Sequence, residues 1–441
     1  MSRKHLLLKG TFILTATGFI TRFMGFFYRI FLSHTFGEEG VGLYQLIFPV
    51  YALGYSLTCA GIELALSRLV ARELTKGNEK NARQLLITSL FLTVSFSLII
   101  TFFLQQSSSF LAKNVLCDLR CTRFLLILSY VFPFAAVHSC ICGYYFGRKQ
   151  TKIPALSQLL EQGIRILSVF LLYQYLTKHS ISFDISIAVT GLITGEAFSS
   201  LFCLYAVRNH HLFGPFAPPA PSTFFNHTKE LLCLSAPLTA SRILLNILQS
   251  IEAVSIPVRL QIYGMTVKES LSIYGVLTGM ALPCILFPSA ITNSVSTMLL
   301  PTVAEIQASK HRMGLKNLVK KVTYSCIFLG SICCVFFITF GRWFGKTLFH
   351  SPLAGNFIFL LSFMCPFLYP NNTLLSVING IGKTTLSFFI NTLSLGIRIF
   401  SVWILIPHFG ILGYLYGLLA SQICIFLLCI FFLSNFLKSQ N

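Results

Sequence analysis

Five arginines stand where arginine is costly. Arg22, Arg29, Arg165, Arg242 and Arg398 fall inside long apolar runs. A charged side chain at mid-bilayer costs roughly 2.5–3.5 kcal/mol on insertion scales, so it is retained mainly where it faces a wet cavity, a ligand or a partner. In the first run, Thr11, Thr15, Gly18, Arg22, Gly25 and Arg29 recur at alternating steps of four and three, which places them on one helix face. Two guanidinium groups on one face suit an anion, because guanidinium makes paired hydrogen bonds to phosphate. The alternative is that Arg29 snorkels to the interface and Arg22 bonds neighbouring carbonyls. Ser235, Thr239, Arg242, Asn246 and Gln249 repeat the same rhythm, with Glu252 just beside them. This stripe reads as a cavity wall lined by Arg242, Asn246 and Gln249, or as hydrogen-bonding contacts between helices. Arg165 follows Glu161 by one turn, which predicts a neutralising pair. Arg398 shares a face with Ser387, Asn391, Ser394 and Ser401 and has no acid on that helix. Structural and functional roles stay open for both Arg165 and Arg398. Glu252 is the leading candidate for ion coupling. Glu196, near Thr190 and Thr194, is a second, and Glu63 reads as interfacial.

The elements that must position these residues are membrane helices. The chain of 441 residues is 55% hydrophobic and only 10% charged, with mean hydropathy +0.76, against about 25% charged in a soluble domain. The apolar runs are near the ~20 residues a helix needs to cross the hydrocarbon, and they do not alternate as membrane strands would. The expected fold is all-α with about twelve spans: 10–32, 42–65, 85–104, 123–146, 154–176, 183–206, 231–255, 272–298, 319–340, 354–378, 385–406 and 410–434. Of 33 Lys and Arg, 20 fall in the segments on the amino-terminal side of the membrane and eight on the other. That bias places both termini in the cytoplasm. The net charge of +20 is therefore a topology signal that also suits anionic lipids, and nucleic acid is excluded as a partner. The start of the chain reads as a retained first helix and not as a cleaved signal.

Other chemistry finds little support. There is no GxxxxGK[ST] phosphate loop. The histidines, among them His34, His138 and His350, are scattered without a convincing Cys or Glu ligand set, so no metal or cofactor is expected. Most of the 14 cysteines, such as Cys140, Cys142, Cys333 and Cys334, lie in apolar runs and act as small hydrophobes. Cys117 and Cys121 share an external loop and are spaced to allow a disulfide. Proline in Pro49, Pro133, Pro237, Pro283, Pro288 and Pro366 is expected to bend spans.

The chain repeats itself. Residues 163–172, GIRILSVFLL, match 396–405, GIRIFSVWIL, at seven of ten positions, and 128–134, LSYVFPF, match 361–367, LSFMCPF. Both matches share an offset of 233 residues. The expected organisation is an amino-terminal six-helix lobe over 1–206, a linker over 207–229 holding Pro215, Pro218, Pro219 and Pro221, and a carboxy-terminal six-helix lobe over 230–441. Parallel duplicated halves with a substrate site between them are one standard transporter plan.

Residues 10–73, with Arg22 before GFFYRIF, then GVGLYQLIFPVY and the turn into ALSRLVARE, resemble the polysaccharide-transporter family. This is the branch of the multidrug/oligosaccharidyl-lipid/polysaccharide flippase superfamily that includes the stage V sporulation protein B group. The resemblance weakens towards the carboxy terminus but extends along the chain. It implies two pseudo-symmetric lobes of the multidrug-exporter (MATE-like) type and movement of undecaprenyl-linked saccharides, peptidoglycan precursors included, across the cytoplasmic membrane. It also implies coupling to an ion or to the membrane potential, and neighbours in cell-wall synthesis. Arg22 and Arg29 match the first-helix arginines that meet pyrophosphate in lipid II flippases, and Arg242 matches the second-lobe set more loosely. Unlike lipid II flippases, this sequence has no arginine in its second span and no thirteenth or fourteenth span. Two rival readings are a cation-coupled drug exporter of the same superfamily and a non-transporting scaffold in wall or spore-envelope assembly. A membrane glycosyltransferase is disfavoured by the short loops.

Overall fold

A computed structural model describes residues 3–209, 220–308 and 312–439, and no strand occurs among them. Helix is the expected answer in hydrocarbon, where every backbone N–H and C=O must be satisfied within the protein. Among the described residues, nine helical segments are long and apolar enough to cross a membrane, or eleven when two bent pairs count as one span each. The first of them, Phe12–Thr75, is 64 residues long. Unbroken it would reach about 96 Å, roughly three bilayer cores. It is interrupted at Gly37, whose φ of 68° and ψ of −176° only glycine adopts readily. It thus accommodates both the first and second expected spans, and the total is compatible with about twelve. Pro215, Pro218 and Pro219 of the expected linker lie outside the described residues.

The helices are α1 (Arg3–Leu46), α2 (Phe48–Tyr55), α3 (Gly61–Thr75), α4 (Glu79–Phe110), α5 (Cys121–Ser129), α6 (Val131–Gly147), α7 (Lys152–Lys178), α8 (Ser186–Asn209) and α9 (Pro221–Ile262). Then follow α10 (Val267–Gly275), α11 (Leu282–Leu286), α12 (Ser289–Ala308), α13 (Arg312–Leu348), α14 (Pro352–Ser362), α15 (Cys365–Gly380), α16 (Thr384–Phe400), α17 (Ile406–Phe409) and α18 (Ile411–Ser439). Single π-turns occupy Ser56–Ala60, Leu111–Val115, Val276–Ala281 and Ser401–Leu405. Cys117 and Cys121 are free thiols, the first exposed and the second buried, so the disulfide their spacing allowed is not formed.

The internal repeat is visible in the backbone. The α5–α6 pair bends by 42° and the α14–α15 pair by 60°. The bends fall at Tyr130 and at Phe363–Met364, 233 residues apart like the sequence matches. Pro133 and Pro366 follow each bend by the same spacing. A proline cannot bond the carbonyl four residues back, and in the first copy Ser129 O instead accepts from Thr101 Oγ1 at 2.9 Å. Pro237, by contrast, lies inside α9 without breaking it.

Packing yields two compact units. One comprises Met1–Gly25 and Leu46–Ser250; the other comprises Phe26–Gln45 and Ile251–Asn441. This differs from the expected division into 1–206 and 230–441, because two helix ends exchange membership. In the first unit, Gly61 lets α9 approach so closely that a Cβ there would lie 1.8 Å from Thr239 Oγ1. In the second, a Cβ on Gly42 would lie 2.1 Å from Leu271 O, and Ser33 Oγ donates to Phe349 O at 3.1 Å. Close approach through small residues is how helices associate without a hydrophobic driving force. The first unit's core includes Leu66, Leu85, Leu86, Tyr144 and Tyr145; the second's includes Val303, Val377, Ile378 and Cys429.

Candidate functional site

In the first unit, Arg22 and Arg242 are both exposed. Arg242 lies within electrostatic reach of Glu63, which also accepts from Tyr55 OH at 3.4 Å. Glu63 is therefore part of a polar contact on α3 and not an isolated interfacial acid. The stripe on α9 divides its labour. Thr239 packs against Gly61. Asn246 Nδ2 donates to Ala52 O at 3.2 Å and to Ser56 Oγ at 2.5 Å, anchoring α9 where the Ser56–Ala60 π-turn begins. Gln249, like Arg242, remains exposed. Half of the stripe is hydrogen-bonded helix contact and half is available to a ligand.

A second constellation lies inside the first unit. Gly191 and Gly195 on α8 have no room for a side chain: a Cβ would lie 2.3 Å from Val169 Cγ2 and 2.7 Å from Glu161 O, respectively. This tight α7–α8 contact brings Glu196 beside Glu161. His138 on α6 bonds Glu196 Oε2 through Nδ1 at 2.9 Å and Ser157 Oγ through Nε2 at 3.0 Å. A ring nitrogen of His138 and one carboxylate oxygen from each of Glu161 and Glu196 lie within 4.8 Å of one another. Arg165 pairs with Glu161, the i, i+4 contact the spacing predicts. Tyr51 OH donates to Glu196 Oε1 at 3.5 Å, and Ser168 and Thr194 hydroxyls meet at 2.7 Å. His138 is a correction to the sequence reading, which found no ligand set for it. Its carboxylate partner is 58 residues away, so no local motif announces the pair.

In the second unit, Arg398 Nε meets Glu252 Oε1 at 2.7 Å, and Tyr414 OH donates to the same oxygen at 2.6 Å. Arg398 thus has an acid after all, supplied by α9. Glu252, the leading ion-coupling candidate from sequence, is buried with its charge already matched. Arg29 is half-buried in this unit, within electrostatic reach of Tyr44, so the two arginines of the first stripe belong to different units.

Residues 7–307 match the family model described as polysaccharide biosynthesis protein. The chain belongs to this family. It is 30% identical to stage V sporulation protein B of Bacillus subtilis, with 96% of this chain and 83% of that protein aligned. Among solved structures, the lipid II flippase MurJ in an inward closed conformation matches with a TM-score of 0.72 at 16% identity, over 96% of this chain and 87% of that one. An inward-facing MATE-family multidrug resistance transporter matches with a TM-score of 0.71 at 14% identity, over 100% and 99%. The fold is therefore the MATE-like fold of multi-pass membrane transporters. Both of these structural neighbours are transporters, one of drugs and one a lipid flippase.

Proposed function

We propose that this protein moves an undecaprenyl-diphosphate-linked saccharide, a polysaccharide or peptidoglycan precursor, across the cytoplasmic membrane by alternating access, with both termini in the cytoplasm. The observation that carries the reading is the exposure of Arg22 and Arg242 on apolar membrane helices of the first unit, in a member of the polysaccharide biosynthesis family. Guanidinium groups kept in contact with their surroundings at that depth match a diphosphate, while the polyprenyl tail stays in lipid. Gln249 supplies amide groups for a sugar, and Arg29 is a further cation of α1. Anionic lipids suit the basic cytoplasmic loops, and cell-wall synthesis proteins are the partners such a substrate requires.

The drug-exporter reading needs acids free to meet a cationic drug. Glu161 and Glu196 are instead engaged by Arg165 and His138, and Glu252 by Arg398. The test replaces Arg22 by Ala and by Lys and measures lipid-linked saccharide on the inner leaflet of cells. Accumulation with Arg22→Ala at normal protein levels is expected, with a smaller effect for Lys. Wild-type levels in both variants would refute the reading and favour a scaffold.

A further inference from the structure

The buried cluster around His138 has one charge too few to be neutral. Glu161 and Glu196 contribute two negative charges and Arg165 one positive. The remaining side chains that face it are Tyr51 and Tyr55 from α2, Cys59 from the adjoining π-turn, Cys142 from α6 itself and Cys203 from α8. Phenols and thiols are neutral at pH 7 in ordinary surroundings. From α3, Glu63 is within electrostatic reach of both Arg242 and His138, and Arg242 balances its charge. From α4 the nearest polar groups are Ser89 and Thr93, which carry no charge. The cluster is therefore at −1 with a neutral His138 and at zero with an imidazolium. An unmatched charge in a low-dielectric interior is strongly disfavoured, and two carboxylates side by side compete for a proton.

The duplicated half supplies an internal comparison. Adding the repeat offset of 233 to His138 gives Asn371. Asn371 is buried on the helix after the bend, and its Nδ2 donates to Gln422 O and Oε1, both at 2.9 Å. The equivalent site in the second unit therefore holds a neutral amide that cannot titrate. The Arg398–Glu252 ion pair of that unit is already balanced. The side chains of His138 and Glu196 keep 13% and 7% exposure, so the first site is not sealed from a proton source.

We infer that the His138–Glu161–Glu196 cluster binds and releases one proton in each transport cycle, making the first unit the seat of proton coupling. The inference rests on the flippase reading for its cycle but not for its protonation. With one proton per lipid, the leaflet distribution of substrate shifts about tenfold per unit of imposed pH gradient. The experiment reconstitutes the full chain in phosphatidylethanolamine–phosphatidylglycerol vesicles with a fluorescent undecaprenyl-diphosphate disaccharide, and reads its leaflet ratio by external quenching. His138→Asn installs the residue of the second repeat, and Glu196→Gln is the parallel variant. The expected result is a gradient-dependent ratio in the wild type and a gradient-independent one in both variants, which still equilibrate the probe. A wild-type ratio that ignores the gradient, or a His138→Asn ratio that follows it, overturns the inference. If the wild type fails to move the probe, the flippase reading fails by itself. The site is then judged by ¹⁵N-histidine NMR of the protein in micelles at pH 7, with His138 assigned by its loss in His138→Asn. A His138 signal that shifts as the pH is then varied supports the cluster's proton, wherever in the cluster it resides, and a signal that does not shift overturns it.

Discussion

Removing Glu252 should damage the second unit more than removing both members of its ion pair. Glu252 Oε1 lies 2.7 Å from Arg398 Nε as an ion pair and accepts from Tyr414 OH at 2.6 Å, and its side chain is 4% exposed against 26% for Arg398. Glu252→Ala leaves a guanidinium without its counter-ion and a buried phenol without its acceptor. Breaking a buried pair from one side costs roughly 3–5 kcal/mol, and the partial exposure of Arg398 argues for the lower end. About 3 kcal/mol corresponds to a change of more than a hundredfold in the folded-to-unfolded ratio. Glu252→Ala with Arg398→Met removes both charges and should recover most of that loss, since paired replacement of buried ions by apolar groups is often neutral. The assay is thermal unfolding of the detergent-solubilised single and double variants, followed by size-exclusion chromatography. The reasoning is refuted if Glu252→Ala melts with the wild type, or if the double variant loses as much as the two single losses added together. The former result would also return Glu252 to the role of a free coupling acid.

Gly61→Leu should destabilise the first unit, because a Cβ there meets Thr239 Oγ1 at 1.8 Å and Ser235 O at 3.0 Å. Overpacking of this kind costs about 1–3 kcal/mol, and Thr239→Ala should relieve part of it, as read by thermal melting. Gly195→Val should part α7 from α8, separating Glu196 from Glu161, and should abolish the pH-gradient response of transport before it abolishes folding. Membrane-impermeant maleimide should label Cys117 in intact cells and spare Cys121 until the protein is denatured, given their exposed and buried positions; protection of Cys117 would overturn the proposed orientation.

What was legible in the sequence was whatever acts over short range or repeats. Helical spans follow from apolar length, the Glu161–Arg165 pair from its spacing, and the equivalent bends at Tyr130 and Phe363 from the two matches at one offset. His138–Glu196 and Arg398–Glu252 were not legible as pairs, since their members are 58 and 146 residues apart and only packing selects among many possible partners. The exchange of helix ends between the units was also hidden. It depends on close helix approach at Gly42, Gly61 and Gly275, and a glycine in an apolar helix does not name the surface it will meet. The stripe on α9 shows the same limit. Its rhythm marks a polar face, yet Thr239 and Asn246 use that face for packing while Arg242 and Gln249 leave it exposed.

The most direct test of substrate movement follows a fluorescent undecaprenyl-diphosphate saccharide in vesicles holding the purified protein, with the wild type compared against Arg22→Ala combined with Arg242→Ala. The account predicts that the wild type makes the inner-leaflet probe accessible to an external quencher, and that the double variant leaves it as protected as in protein-free vesicles. Equal accessibility with the wild type and the folded double variant, or none with either, would contradict it.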